Sequence, residues 1–266
     1  MDPTPLLDSA TTDFYRGAMR ALKAADVPFL VGGAYGLRCY TGVTRHSKDF
    51  DIFVRQADVH RALAVLAEYG CDTEIAFPHW LGKARKGTDF LDVIYGSGNG
   101  VAMVDDLWFE HAVTDEVLGV EVELVPPEEM IWSKAFIMER ERFDGADVAH
   151  LFHARAPTLD WPRLLARFDR RWRVLFVHLV LFGFIYPGER HKIPAVVMAD
   201  LLGRLEAEVL AAAEMEDELL CQGTILSREQ YLPDLARGYQ DARLREDVSM
   251  TAQDITIWTI AAFIDG

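Results

Sequence analysis

Apolar residues recur at helical spacing over residues 11–25, at Phe14, Ala18, Leu22 and Ala25, and Pro28 stops the pattern. Phe29, Leu30 and Val31 then predict a short apolar strand. Gly32 and Gly33 end it, and residues 34–40 predict the next helix. Residues 49–54 alternate acid and apolar positions before turning wholly apolar, which predicts a strand with carboxylates on one face. Helical spacing returns over residues 59–69. Residues 90–95 predict a second strand with an inserted acid, closed by the turn Gly96-Ser97-Gly98-Asn99-Gly100, and residues 120–125 predict another. At Pro126-Pro127-Glu128-Glu129 a helix is expected to start, because proline lacks the N–H that a first turn leaves unused and acids suit the dipole there; it is expected to run through Lys134 to about Arg142.

From Ala146 onward no strand is predicted, and residues 148–154, 161–168, 174–185, 195–215 and 255–264 all have helical spacing. Residues 216–254 have weak periodicity and many turn residues, so they receive no assignment. There is no internal repeat. The expected fold class is therefore mixed α/β: a small sheet with flanking helices over residues 1–155, followed by a helical domain over 156–266.

Half of the 266 residues are hydrophobic and 26% are charged, which excludes disorder and low-complexity character. Cys39, Cys71 and Cys221 are scattered, with no paired or finger-like spacing, so neither a disulfide framework nor a structural zinc site is expected. The first residues carry no basic, apolar leader pattern, and the expected location is the cytoplasm. The longest apolar run, residues 174–186, falls short of the roughly 18–20 residues of a membrane span and is expected to form a buried helix. Formal net charge is 27 minus 42, or −15. Phosphate backbones are bound through clustered Lys and Arg, so general nucleic-acid binding is not expected and a small or cationic partner suits the chain better.

One constellation carries chemistry. A Gly-Gly turn straight after a strand lets a ligand approach the backbone, and the N–H groups opening the next helix can meet a phosphate. Asp49 and Asp51 lie two apart on a strand, so both side chains leave one face, as paired coordination of Mg²⁺ requires. Asp92 lies on a later strand where it can join them. Converging carboxylates call for cations, and two Mg²⁺ ions shared with a nucleotide's phosphates would serve phosphoryl or nucleotidyl transfer.

The segments Val31-Gly32-Gly33, Lys48-Asp49-Phe50-Asp51-Ile52-Phe53-Val54 and Phe90-Leu91-Asp92-Val93-Ile94 resemble the motif set of the DNA polymerase β-like nucleotidyltransferase superfamily. The stretch from Pro127 through Lys134 and Phe136, followed by Arg140, Arg142, Asp144, Asp147 and His150, looks like the helical segment of small bacterial members, among them AbiEii-type toxins and antibiotic-modifying enzymes. The resemblance covers roughly residues 25–155. It implies that Gly32 and Gly33 hold nucleotide phosphates, with Lys48 beside them, that Asp49 and Asp51 bind metal, and that Asp92 is the third ligand or the general base. Lys134 would reach the triphosphate. The interval from Gly33 to Asp49 is slightly longer than the pattern, which allows a larger loop at the mouth of the site and bears on Arg45, His46 and Lys48.

Other features have blander readings. Gly96 to Gly100 lacks the Lys-Ser/Thr ending of a phosphate loop and is expected to be a turn. Asp144 and Asp147 suit a helix start, with a base-like role open for Asp147. His150 and His153 have no third ligand nearby and are expected to be ordinary helix residues. Arg163, Arg167, Arg170, Arg171 and Arg173 form a basic cluster, either a solvated helix face or the one place to hold an RNA backbone. The expected function is thus Mg²⁺-dependent transfer of a nucleoside monophosphate from an NTP, such as ATP, to a hydroxyl of a small-molecule acceptor. The alternatives are a toxin-type enzyme acting on tRNA and a catalytically silent protein of the same fold that binds a nucleotide or a partner. Oligomeric state is not legible.

Overall fold

The structure is a computed structural model describing residues 9–44, 49–211, 219–245 and 247–261. It divides into two compact units, residues 1–126 with 249–260, and residues 127–248 with 261–266. The break in packing falls at Pro126/Pro127, so residues 127–155, expected with the sheet, pack with the helices instead.

The first unit holds α1 (Ser9–Ala24), β1 (Leu30–Val31), α2 (Gly33–Thr41), β2 (Asp49–Phe53), α3 (Val59–Glu68), β3 (Asp72–Phe77), β4 (Leu81–Lys86), β5 (Asp89–Ile94), α4 (Asp106–Glu110), β6 (Val113–Val117) and β7 (Val120–Leu124). The strands form one mixed sheet in the order β3-β4-β5-β2-β1-β7-β6. β2 runs parallel to β5 and antiparallel to β1, and β1 runs parallel to β7. The alternation of β2 is realised as expected: Phe50 and Ile52 are fully buried, Asp49 is exposed and Asp51 half-buried. Behind Phe50, Tyr15 of α1 stacks at 4.6 Å between ring centroids and Tyr35 of α2 tilts at 4.8 Å, so an aromatic cluster supports the strand from the apolar side.

Strands β3, β4 and β6 were not expected. β3 and β6 are the two edges of the sheet, and β4, between β3 and β5, carries Lys83, Arg85 and Lys86; with polar residues on both faces they leave no period-two signal. The Gly96 to Gly100 segment is a loop, as expected, and a β-carbon on Gly98 would lie 2.5 Å from the Trp258 ring. Trp258 belongs to helix α12 (Ala252–Ala261). Its indole packs edge-on against Phe77 and Trp80 at 5.0 and 5.3 Å, so the loop glycine is there for close packing.

The second unit holds α5 (Pro127–Ala135), α6 (Gly145–Arg155), α7 (Trp161–Phe168), α8 (Trp172–Ile185) and α9 (Ala195–Leu210). It continues through β8 (Leu220–Cys221), α10 (Gly223–Leu226), α11 (Leu232–Leu235) and β9 (Gln240–Asp241), where β8 and β9 form a small parallel pair; the chain then returns to the first unit with α12 (Ala252–Ala261). α5 stops at Ala135, not near Arg142. Residues 136–144 instead make a hairpin-like excursion, with Glu139 N donating to Arg142 O (2.8 Å) and Asp144 N to Ile137 O (3.2 Å). Glu139, Arg140, Glu141 and Arg142 offer no apolar face to bury, so helical burial has nothing to reward there. α8 is not the buried helix expected of an apolar run. It buries Leu175, His178, Leu179 and Phe182 but leaves Val177, Val180 and Phe184 exposed. Among the described residues no helix is long and apolar enough to cross a membrane. The parts of the expected helices over residues 195–215 and 255–264 that fall at 212–215 and 262–264 lie outside the described residues.

Candidate active site

The site grows from the strand register. Asp51 of β2 is the direct partner of Asp92 on the parallel strand β5, and Asp49 is the partner of Phe90. Neighbouring strands lie about 4.8 Å apart, so the Asp51 and Asp92 carboxyls leave one face of the sheet side by side. The same cross-strand row continues outward: Asp92 pairs with Lys83 on β4, and Lys83 with Glu74 on β3. Lys83 Nζ donates to Asp92 Oδ1 at 2.9 Å, with both side chains mostly buried. Burial pushes the Asp92 carboxyl above its ordinary pKa and the charge of Asp49 adds to the rise, while Lys83 opposes it.

On the other side of β2, the chain leaves β1 and enters α2 through Gly32 and Gly33. Gly32 N donates to Asp51 O at 3.1 Å, which holds the turn against the strand. Gly33 has φ +53°, and a β-carbon on it would overlap the Asp51 carboxylate. A β-carbon on Gly32 would strike the Phe53 ring. Both glycines are therefore required by contact with β2, and the amino end of α2 opens beside Asp51. Burial, helped by the Asp51 charge against the opposing Arg38, raises the Tyr35 phenol to about 12, so it stays protonated beside the carboxylates.

Asp49, Asp51 and Asp92 thus lie on the central strands β2 and β5, and Gly32 and Gly33 form the turn packed against β2. Lys48, Arg45 and His46 lie outside the described residues. Among the described residues no three metal-ligating side chains come together in one cluster. Mg²⁺, however, is bound through only one or two carboxylates completed by water and substrate phosphates.

Lys134 belongs to the second unit. Its ammonium lies 2.9 Å from Asp144 Oδ2 and 2.8 Å from Asp147 Oδ2, a cage closed by the excursion over residues 136–144. Asp144 occupies the N-cap position of α6 but makes no side-chain capping bond; it also accepts from Arg142 Nε at 3.0 Å. Burial works against the Asp144 carboxylate, yet Arg142 and Lys134 together hold its pKa down at about 2.

The basic cluster is spent internally. Arg163 forks across Glu128 (2.6 Å) and Glu129 (2.5 Å), and Arg167 Nε donates to Glu129 at 3.0 Å. Arg170 and Arg171 pair with Asp247, and Arg173 with Glu208. Glu128 and Glu129, expected to serve the helix dipole, are buried as counter-ions to these arginines. Each arginine of the cluster thus has a carboxylate partner, although the Arg170 and Arg173 side chains stay more than half exposed. Lys83 was missed altogether, because only the β4 to β5 register reveals that its partner is Asp92.

No family model and no curated protein matches this chain. Among solved structures it is similar to an antigenic nucleotidyltransferase-like protein from Paracoccidioides brasiliensis, at 14% identity over 73% of this chain and 99% of the other, with a TM-score of 0.46. It is also similar to ANT(2")-Ia in complex with adenylyl-2"-tobramycin, at 17% identity over 74% and 99% of the two chains and a TM-score of 0.39. A third is the lincosamide antibiotic adenylyltransferase LnuA with lincomycin bound, at 14% identity over 54% and 96% and a TM-score of 0.38.

Proposed function

We propose that this protein is a nucleotidyltransferase that moves a nucleoside monophosphate from an NTP to a hydroxyl of a small acceptor. The observation that carries this reading is the register of Asp49 and Asp51 beside Asp92, with the Gly32-Gly33 turn packed against the Asp51 carboxylate. In this reading the backbone N–H groups at the amino end of α2 receive phosphate oxygens, since no side chain at Gly33 blocks the approach. Asp49 and Asp51 would hold Mg²⁺, which would supply charge neutralisation for a leaving pyrophosphate and a more acidic acceptor hydroxyl. Asp92, buried and raised in pKa, is the proton acceptor for that hydroxyl, and Lys83 keeps its carboxyl oriented. Lys134, held by Asp144 and Asp147, takes no part in this scheme.

For the acceptor, the strong acidic excess and the commitment of Arg163 and Arg167 to buried glutamates favour a small cationic molecule over tRNA. A second reading rests on the Lys83–Asp92 ion pair: a protein of this fold that binds a nucleotide without transferring it, Lys83 permanently neutralising the third acid.

The test is calorimetric titration of each NTP with and without Mg²⁺, on the wild type and on Asp49→Asn/Asp51→Asn, followed by label transfer to aminoglycoside and lincosamide panels. Metal-dependent binding lost in the double variant supports the site, and no binding of any NTP to the wild type rejects it. Binding without transfer to any acceptor moves the assignment to the silent reading.

A further inference from the structure

A second site lies in the helical unit. A cavity of about 320 Å³ is walled by Arg170, Arg171, Arg245, Gln222, Ile225 and Asp247, among others. That volume is in the range of small-ligand pockets. Its lining holds three arginines and one carboxylate, and Asp247 is shared between Arg170 and Arg171. Arg171 is 14% exposed at its side chain; burial and the neighbouring Arg170 lower its pKa to about 10, although Asp169 opposes them.

Two further features bear on how the wall is held. Asp169, which opens the turn carrying Arg170 and Arg171, has φ 42° and ψ −123°, a conformation that L residues rarely adopt. Strain of this kind collects at ligand clamps. Arg243, 1% exposed, makes a fork onto Asp241 through bonds of 3.0 and 2.7 Å and pins the turn at Ala242–Leu244 that precedes Arg245. Guanidinium forks match the oxygens of a phosphate, while the Gln222 amide and the Ile225 side chain offer a polar and an apolar surface to whatever the phosphate carries.

We propose that this cavity binds a small phosphate monoester whose phosphate displaces the Asp247 carboxylate from Arg170 and Arg171. Asp247 is then an internal stand-in for the ligand's anion. The site is separate from the aspartates of the sheet and needs no metal.

The test is calorimetric titration of the full chain with ribose 5-phosphate, and with inorganic phosphate, in EDTA-containing buffer. Saturable binding of ribose 5-phosphate is expected. Asp247→Asn tightens it and Arg170→Gln weakens it, each by about tenfold, the size of one charge-assisted hydrogen bond. Asp49→Asn/Asp51→Asn leaves it unchanged, which separates this site from the nucleotide site. Arg170 is 58% exposed at its side chain, so its substitution leaves the fold intact. Any of four results overturns the proposal: no binding to either the wild type or Asp247→Asn, weaker binding by Asp247→Asn, binding of inorganic phosphate alone, or Arg170-dependent binding of a single-stranded RNA 10-mer with none of ribose 5-phosphate.

Discussion

Gly33 lies so close to Asp51 that a single β-carbon on it would overlap the carboxylate. Its φ of +53° is also one that a side chain disfavours. Gly33→Ala is therefore expected to displace the Asp51 carboxylate, to weaken NTP binding at least tenfold and to lower stability by about 1–2 kcal/mol. Calorimetry beside urea denaturation reads both; unchanged binding would remove the turn from the site.

Asp144 links stability to pH. Its pKa is about 2 in the folded chain against an ordinary value of 3.8, so the folded state holds the proton less tightly. The stabilisation is fully present above pH 4 and is lost as pH falls through 2, amounting to about 2 kcal/mol. In Asp144→Asn the difference from wild type should be largest at pH 5–7 and shrink toward pH 2, as measured by chemical denaturation across that range. A pH-independent difference would show that the loss is one of packing.

Glu129 is fully buried and paired with Arg163 and Arg167. Removing one partner of a buried pair leaves an uncompensated charge, so Arg163→Met should cost about 3–5 kcal/mol. The double variant Arg163→Met/Glu129→Gln should recover part of it. A thermal melt of the single and double variants checks this, and failure of the second substitution to restore any stability would refute the coupling.

Trp258 and Gly98 should behave as one unit. A β-carbon on Gly98 would lie 2.5 Å from the indole ring, so Gly98→Ala expels Trp258 from the edges of Phe77 and Trp80. We expect Gly98→Ala and Trp258→Ala each to cost about 1–3 kcal/mol and the double variant little more than either alone. Full additivity in denaturant melts would mean that the loop and α12 are energetically independent.

The chain itself determined those elements whose burial repeats locally. The alternation at residues 49–54 placed Asp49 and Asp51 on one face because Phe50 and Ile52 must turn inward, and the glycine pair after β1 marked the turn. Helices α1, α3, α6, α7 and α8 were legible because one stripe of each had to be buried. The polar strands β3, β4 and β6 carry no such stripe, and a solvated residue leaves no periodic trace. Only tertiary structure decided which charge meets which: Lys83 with Asp92, Lys134 with Asp144 and Asp147, Arg163 with Glu128 and Glu129. Hydrophobic period is a property of one segment and can be read along it. An ion pair depends on register and on how elements pack, which two distant segments settle together, so the same Lys or Arg reads alike along the chain whether it faces solvent, a substrate or a buried carboxylate.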